Sequence, residues 1–334
     1  MIIPQKLKSG DEIRVVALSR TIGGVMRWNG TTEQDIQFAA GQLSLLGLKV
    51  SFGRHVRECD AHLTTSPQNR LEDLHEAISD SAVKAIVAVT GGVGAIQMLG
   101  GIDYDLIAKN PKIICGYSDI TNPCNAIYAR TGLMTYYGPH FTTFMMRKGL
   151  DYTRDHFCKC LFENGPFELL PAKEWSDDVW HKDQENRTFL PNEGVWVIQE
   201  GYAEGIVLAG AYNCLNLLQG SKYFPPLRDA ILFLECPAEG KATVMALDSG
   251  LRSLAFQPEF SGVRAIAIGR YARSGGVTRE KLTDIITSNP ALKHLPVIAN
   301  CDFGHISPIV TLPIGGRCRL QAEKPRAVIT LTEH

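Results

Sequence analysis

Two hydrophobic rhythms alternate along the first 165 residues. Residues 13–18, 83–89 and 113–115 are short, continuous apolar runs. Strands buried on both faces have this pattern. Between them the spacing changes to that of a helix. From Thr31 to Leu46 the apolar positions are Ile36, Ala39, Ala40, Leu43 and Leu46. Thr31 and Gln34 are spaced for a capping box, and Gly47 is placed to end the helix. Ser66 and Pro67 are expected as N-cap and first residue of another helix, with Leu71, Leu74 and Ile78 on its apolar face. Strands alternating with helices predict an α/β fold with a parallel sheet covered on each side.

From about 166 to 200 the rhythm stops. Pro166, Pro171 and Pro191 punctuate a polar segment that also carries Trp175, Asp177, Asp178, Trp180 and Arg187. A long irregular loop in a compact chain is usually functional or disordered. Its tryptophans either bind a flat ligand or tack the loop onto the body. Regular apolar runs resume at 194–199, 205–209, 230–234, 263–268 and 296–299, with a helix expected over 213–219. Residues 310–312, 317–320 and 327–331 predict short closing strands of antiparallel character. The division expected is 1–165 for a first α/β domain, 166–200 for a linker and tryptophan-bearing loop, and 201–334 for a second β/α domain.

Composition narrows the function. The net charge of −1, with acids and bases mixed along the 334 residues, provides no basic stripe for nucleic acid. No apolar run is long enough to span a bilayer, and the N-terminus lacks the apolar core of a signal peptide. Nine scattered cysteines fit reduced thiols in the cytoplasm. Cys158 and Cys160 lack a second ligand pair at zinc spacing, so no metal or cofactor is expected.

Candidate chemistry gathers at strand ends. The run Lys112-Ile113-Ile114-Cys115-Gly116-Tyr117-Ser118-Asp119-Ile120-Thr121 reads as a strand turning sharply into a helix, with Pro123 in its first turn. Such an elbow holds one side chain above the sheet and leaves backbone N–H groups free at the helix start. Ser118 is either a nucleophile there or, with Asp119, a helix cap. The bulk of Tyr117 in so tight a turn favours a constrained elbow, although Gly-x-Ser-x-Gly is absent. A second strand end carries Gly91, Gly92 and Gly94. Its backbone N–H groups are candidates for an oxyanion hole with that of Asp119. The rival dinucleotide loop lacks its third glycine and follows a later strand than it should.

A nucleophilic serine needs a base. Of nine histidines, His55, His62, His75, His156, His181 and His294 lie in polar surroundings and are expected to be solvated, and His334 ends the chain. His140 and His305 follow strand ends, and His305 stands in a turn of small residues. Glu235 directly follows five apolar residues. A carboxylate there is costly unless paired or placed at the open sheet edge. It is either the orienting acid or half of a salt bridge.

Gly116-Tyr117-Ser118-Asp119-Ile120-Thr121, the Gly91-Gly92 turn, Leu234-Glu235 and Gly304-His305 resemble the serine peptidase family S66. That family holds the murein LD-carboxypeptidases and the microcin C immunity proteins of the MccF type. The resemblance covers nearly the whole chain. It implies a catalytic set of Ser118, Glu235 and His305 and an oxyanion hole at the Gly92 and Asp119 backbone. It also implies a flavodoxin-like N-terminal domain, a C-terminal swivelling β/α domain, and a cytoplasmic homodimer. The tryptophan-bearing insertion is similar to the MccF-type branch, in which an aromatic side chain stacks on the substrate's nucleotide base. Trp180 is expected in that role, with Trp175 in reserve, and Gly91 and Asn213 are further expected substrate contacts. The substrate expected is a small peptide or a peptidyl or aminoacyl nucleotide. The alternatives are murein tetrapeptide trimming and, in another class, non-catalytic binding of a nucleotide or peptide. One departure stands out: where the family has Gly-Gly-Asn-Leu, this chain has Ala209-Gly210-Ala211-Tyr212, with Asn213 shortly after.

Overall fold

A computed structural model describes residues 1–237, 240 and 242–334. The first half builds a six-stranded sheet in the order Leu312–Ile314, Thr135–Tyr137, Ile113–Cys115, Val83–Ala88, Glu12–Val16 and Lys49–Phe52. The last five are parallel, and only Leu312–Ile314 runs against its neighbour. Numbered along the chain, those five stand in the flavodoxin-like order 2-1-3-4-5. Val83–Ala88 and Ile113–Cys115 are almost wholly buried, which is why they read as unbroken apolar runs.

The second sheet has eight strands: Phe167–Glu168, Arg326–Glu333, Arg317–Glu323, Gly201–Ala211, Ala230–Glu235, Ala265–Gly269, Val297–Cys301 and Trp196–Gln199. Its centre, from Gly201–Ala211 to Val297–Cys301, is parallel. Antiparallel strands close both edges. The polar segment after residue 165 therefore supplies one strand to each edge of this sheet, and Leu312–Ile314 returns to the first sheet.

The helix Thr121–Thr131 joins the two sheets. Asn125 Nδ2 donates to the Ala209 carbonyl at 3.1 Å, and Thr121 Oγ1 accepts the Ala211 N–H at 3.0 Å. Ile120, Cys124 and Ile127 enter the same buried cluster as Leu208, Phe233 and Ile268. Ala211 lies in register with Glu235 on the next strand. The helix that follows Ser118 is thereby fixed against the strands that end at Glu235.

The expected helix over 31–46 runs from Glu33 to Ser44, and its capping box sits one residue later than the spacing suggested. Thr32 Oγ1 accepts the Asp35 N–H while the Asp35 carboxylate accepts the Thr32 N–H. The Thr31 hydroxyl is occupied by Asn29 instead. Ser66 and Pro67 start the helix Pro67–Ser79 as expected. Among the described residues no helix is long and apolar enough to cross a membrane.

Candidate active site

Ser118 stands where the strand Ile113–Cys115 gives way to a single tight turn, Ser118–Ile120, before the helix Thr121–Thr131. Its φ is +59°. A non-glycine residue in that region costs free energy and is held by its surroundings. Ser118 is therefore on a strained elbow, and its side chain caps no helix; the Tyr117–Ser118 turn has no side-chain cap bond.

Ser118 Oγ lies 2.9 Å from His305 Nε2, and His305 Nδ1 lies 2.8 Å from Glu235 Oε2. Glu235 is 1% exposed. Its other oxygen accepts the Tyr137 hydroxyl at 2.7 Å. A carboxylate this deep needs partners to offset its lost hydration, and here the partners are an imidazole and a phenol. Glycines let the loop after Val297–Cys301 wrap around it. At Gly304, φ is +115°, and a side chain would begin 3.0 Å from Glu235 Oε2.

The turn after Val83–Ala88 closes on the serine. A Cβ on Gly91 would sit 2.7 Å from Ser118 Cβ and 2.9 Å from its Oγ. Gly92 lines the same cleft with φ of +146°. The Asp119 carboxylate ties this turn to the elbow: Oδ2 accepts the Ala95 N–H at 2.8 Å and the Ser19 hydroxyl at 2.7 Å. Asp119 thus braces the strand ends with its side chain while its backbone N–H sits at the elbow.

His140 does not reach Ser118. Its ring stacks on Tyr117 at 4.0 Å and Nε2 lies 2.8 Å from the Tyr117 carbonyl. Its backbone N–H donates to Thr143 Oγ1 at 3.1 Å, and its carbonyl accepts the Thr143 N–H at 3.1 Å. Burial pushes its pKa down to about 3, so at neutral pH it is an uncharged brace under the elbow. Burial first, then the Glu235 charge, holds the Tyr117 phenol up at about 12. Four other histidines depart from the solvated expectation, and two of them, His55 and His75, are half-buried and bonded to the Glu58 carboxylate and the Asp103 N–H. His156 is buried beside Tyr152, and His181 is half-buried in the wall of the cleft.

The cleft has a volume of about 400 Å³. Ser118, His305, Gly91 and Gly92 form its floor, and Arg20, Trp28, Trp180 and His181 form part of its wall. The two tryptophans of the polar loop have separate fates. Trp180 faces the cleft. Trp175 does not; it lies over the buried Arg270 guanidinium at 4.8 Å, and Arg270 pairs with Asp302 at 2.9 Å. Trp175 is thus a tack, its ring laid over the buried Arg270 of that ion pair. Asn213 is exposed near the start of the short helix Tyr212–Asn216 and is not part of this cleft's lining.

The loop is held at several points. Ser176 and Ser307 exchange two backbone bonds of 2.7 and 2.9 Å, two residues from His305. Asp177 accepts Arg273, and Asp178 accepts Arg187. His181 packs on Trp28 at 5.1 Å and edge-on to Trp180 at 5.7 Å. Tyr137, Arg20 and Trp28 had no place in the reading of the sequence. Tyr137 ends the strand Thr135–Tyr137, three residues before His140. Arg20 follows the apolar run 13–18, a strand-end position like that of Ser118. Among the described residues no cluster of histidine, cysteine and carboxylate side chains could hold a metal ion.

Comparison with known proteins matches both halves of the chain. Residues 13–138 match the LD-carboxypeptidase N-terminal domain and residues 204–320 the LD-carboxypeptidase C-terminal domain. The putative carboxypeptidase YocD of Bacillus subtilis is 45% identical over 329 residues, covering 98% of this chain and 99% of its own. The microcin C7 self-immunity protein MccF of Escherichia coli is 30% identical over 300 residues, 85% of this chain and 84% of its own. Among solved structures, an MccF-like protein from Bacillus anthracis superposes with a TM-score of 0.97 at 46% identity, covering 100% of both chains.

Proposed function

The chain belongs to the LD-carboxypeptidase family, peptidase family S66, and is a hydrolase of the serine peptidase type; from that premise we propose that Ser118, His305 and Glu235 cleave the amide or acyl bond between a peptide or amino acid and a nucleotide-like group. The observation that carries this reading is the unbroken hydrogen-bond chain from Ser118 through His305 to Glu235, at 2.9 and 2.8 Å. His305 Nε2 takes the Ser118 proton as Oγ attacks the carbonyl carbon. Glu235 fixes the imidazole's orientation and stabilises its charged form. The backbone N–H groups of Gly92 and Asp119 receive the oxyanion. His305 then gives the proton to the leaving nitrogen, the C–N bond breaks, and an acyl group stays on Ser118. Water attacks that ester by the same route and frees the serine. In this reading residues 1–165 carry the nucleophile, 166–200 the substrate loop, and 201–334 the acid and base.

The nucleotide preference rests on the aromatic wall. Trp180, His181 and Trp28 stand together at one side of the cleft, a surface suited to a flat base. A microcin C7 self-immunity protein MccF has been solved in complex with aspartyl sulfamoyl adenosine, and it superposes with a TM-score of 0.87 at 26% identity. On this reading the chain detoxifies peptidyl or aminoacyl nucleotides of the microcin C kind. A second reading is murein tetrapeptide trimming. It is favoured by a Bacillus subtilis relative named a probable murein peptide carboxypeptidase, 28% identical over 337 residues. A cytoplasmic site fits the nine cysteines, all of them free, and we propose a homodimer.

Aspartyl sulfamoyl adenosine and a murein tetrapeptide offered side by side separate the two substrate readings. Release of the sulfamoyl nucleoside is expected, and cleavage of the tetrapeptide alone would reject the nucleotide reading. A serine-directed phosphonate should label Ser118 in the folded protein and leave Ser118→Ala unlabelled. A wild-type protein that is not labelled would make the chain a non-catalytic binder.

A further inference from the structure

The order of the first sheet reverses between Glu12–Val16 and Val83–Ala88, since the chain runs outward from this pair in both directions. In a doubly wound sheet the crevice beyond the carboxyl ends of that pair is where ligands bind. Here Arg20 follows the first strand and Gly91-Gly92 the second, and both line the cleft that holds Ser118.

Arg20 is firmly placed. Its backbone N–H donates to the Gly91 carbonyl at 3.4 Å. Its stem runs between two glycines: a Cβ on Gly92 would sit 3.3 Å from Arg20 Cβ, and one on Gly24 would sit 3.0 Å from Arg20 Cγ. The guanidinium lies 4.4 Å from the centre of the Trp28 ring. Trp28 in turn packs on His181, beside Trp180. Arg20 therefore belongs to the same wall as the aromatic side chains assigned to the leaving group.

Its charge is uncompensated. Among the described residues no carboxylate, carbonyl or hydroxyl is hydrogen-bonded to the guanidinium. The two carboxylates of the cleft wall are taken: Asp177 by Arg273 at 2.8 Å and Asp178 by Arg187 at 3.0 Å. Burial without a counter-charge lowers the Arg20 pKa, although an arginine keeps its proton. A half-buried guanidinium presents a rigid fork of donors matched to carboxylate and phosphate oxygens. An unpaired one in a cleft is a specific place for an anion.

We infer that Arg20 binds the anionic oxygens on the leaving-group side of the substrate, a terminal carboxylate or a phosphoryl-type linkage. This deepens the hydrolase reading and rests on it for the direction of the substrate. A tetrapeptide's leaving amino acid ends in a carboxylate, and a nucleotide's leaving group carries acidic oxygens next to its sugar. Both place an anion a short distance beyond the scissile nitrogen. One guanidinium beside the Gly91-Gly92 turn serves either, so the two substrate readings share a contact.

The test uses the full chain carrying Ser118→Ala, so that ligands stay intact, with Arg20 present or replaced by Met. Calorimetry measures two matched pairs: AMP against adenosine, and a murein tetrapeptide against its C-terminal carboxamide. With Arg20 present, at least one anion should bind about 10-fold or more tighter than its neutral partner, the range of a charge-assisted pair. Arg20→Met should erase that preference, read within the variant as the ratio of the neutral ligand's Kd to the anion's. Arg20→Gln, which keeps a donor but no charge, should behave likewise and replaces Met if that variant melts early. The pair that shows the preference identifies the source of the anion. A preference that survives both substitutions, or no preference in either pair with Arg20 present, overturns the proposal. A protein with Ser118 intact that hydrolyses neither substrate, yet whose Ser118→Ala form keeps the charge preference, counts against the hydrolase reading and leaves Arg20's role standing.

Discussion

Tyr137 donates its hydroxyl to Glu235 Oε1 at 2.7 Å, inside the protein, where neither side chain is more than 1% exposed. The other oxygen of Glu235 faces His305. The carboxylate thus divides its two oxygens between a fixed phenol and the His305 imidazole. Tyr137 comes from the first sheet and Glu235 from the second. Their bond is one of the links that set His305, the proposed base, beside Ser118. Burial, and then the Glu235 charge, raises the Tyr137 pKa well above that of a free phenol, so the phenol remains a donor.

Tyr137→Phe should remove that donor and leave Glu235 Oε1 buried without it. The expected cost is ~1–3 kcal/mol of stability, the penalty for stranding a buried acceptor, read by urea unfolding. kcat/KM should fall with it, because the carboxylate is freed to rotate. Unchanged unfolding and unchanged turnover together would mean that Tyr137 does not hold Glu235.

Gly91→Ala tests the closeness of the turn to Ser118, the proposed nucleophile. The new methyl would stand 2.7 Å from Ser118 Cβ and 2.9 Å from Oγ, so one of the two must move. Displacing a reacting atom by about 1 Å costs on the order of 10²-fold in rate. The variant should fold normally, lose kcat by roughly that factor, and label slowly with a phosphonate. Full activity would show that the turn gives way without disturbing the serine.

The strand ends were legible because burial on both faces leaves apolar runs that stop abruptly, as at Cys115 and Leu234. That made Ser118, Glu235 and His305 visible as positions of one kind. Arg20 and Tyr137 occupy positions of the same kind, but nothing local distinguishes a partnered side chain from an unpartnered one. Their roles depend on residues about 70 and 98 positions away, across a sheet order that spacing does not reveal. The capping box shifted by one residue for a smaller reason. Thr31 and Thr32 are equally good caps in isolation, and Asn29 took the first. The tryptophan loop was the least legible. Trp175 and Trp180 lie in similar polar surroundings in the sequence, and only the buried Arg270–Asp302 pair separates them.

Acid should destabilise the protein through its buried histidines. His140 and His156 are held at about 3 and about 4, both by burial, against an ordinary value of 6.5. Between those limits the unfolded chain binds protons that the folded one refuses. Stability therefore falls as pH drops below about 6.5, by up to ~1.4 kcal/mol per pH unit for each group. His156→Phe removes one such group at a site remote from Ser118. Its unfolding free energy should depend less steeply on pH between 6.5 and 4 than that of the parent. Parallel curves for the two proteins would mean that His156 titrates alike in both states.

The two loop tryptophans should fail in different ways. Trp180 lines the cleft and leans on His181; Trp175 covers Arg270. Trp180→Ala should weaken a nucleotide substrate through KM by roughly 5- to 150-fold, the loss of one base–aromatic stack at ~1–3 kcal/mol. It should change KM for a murein tetrapeptide far less, since that ligand has no base to stack. Trp175→Ala uncovers a buried cation whose ring contact is worth ~2 kcal/mol when desolvated. It should lower Tm by several degrees and leave KM for both substrates near the parent value. If Trp180→Ala raised both KM values equally, the ring would be shaping the cleft and not reading a base. A Trp175→Ala protein with parental Tm and raised KM would reverse the assignment of the two rings.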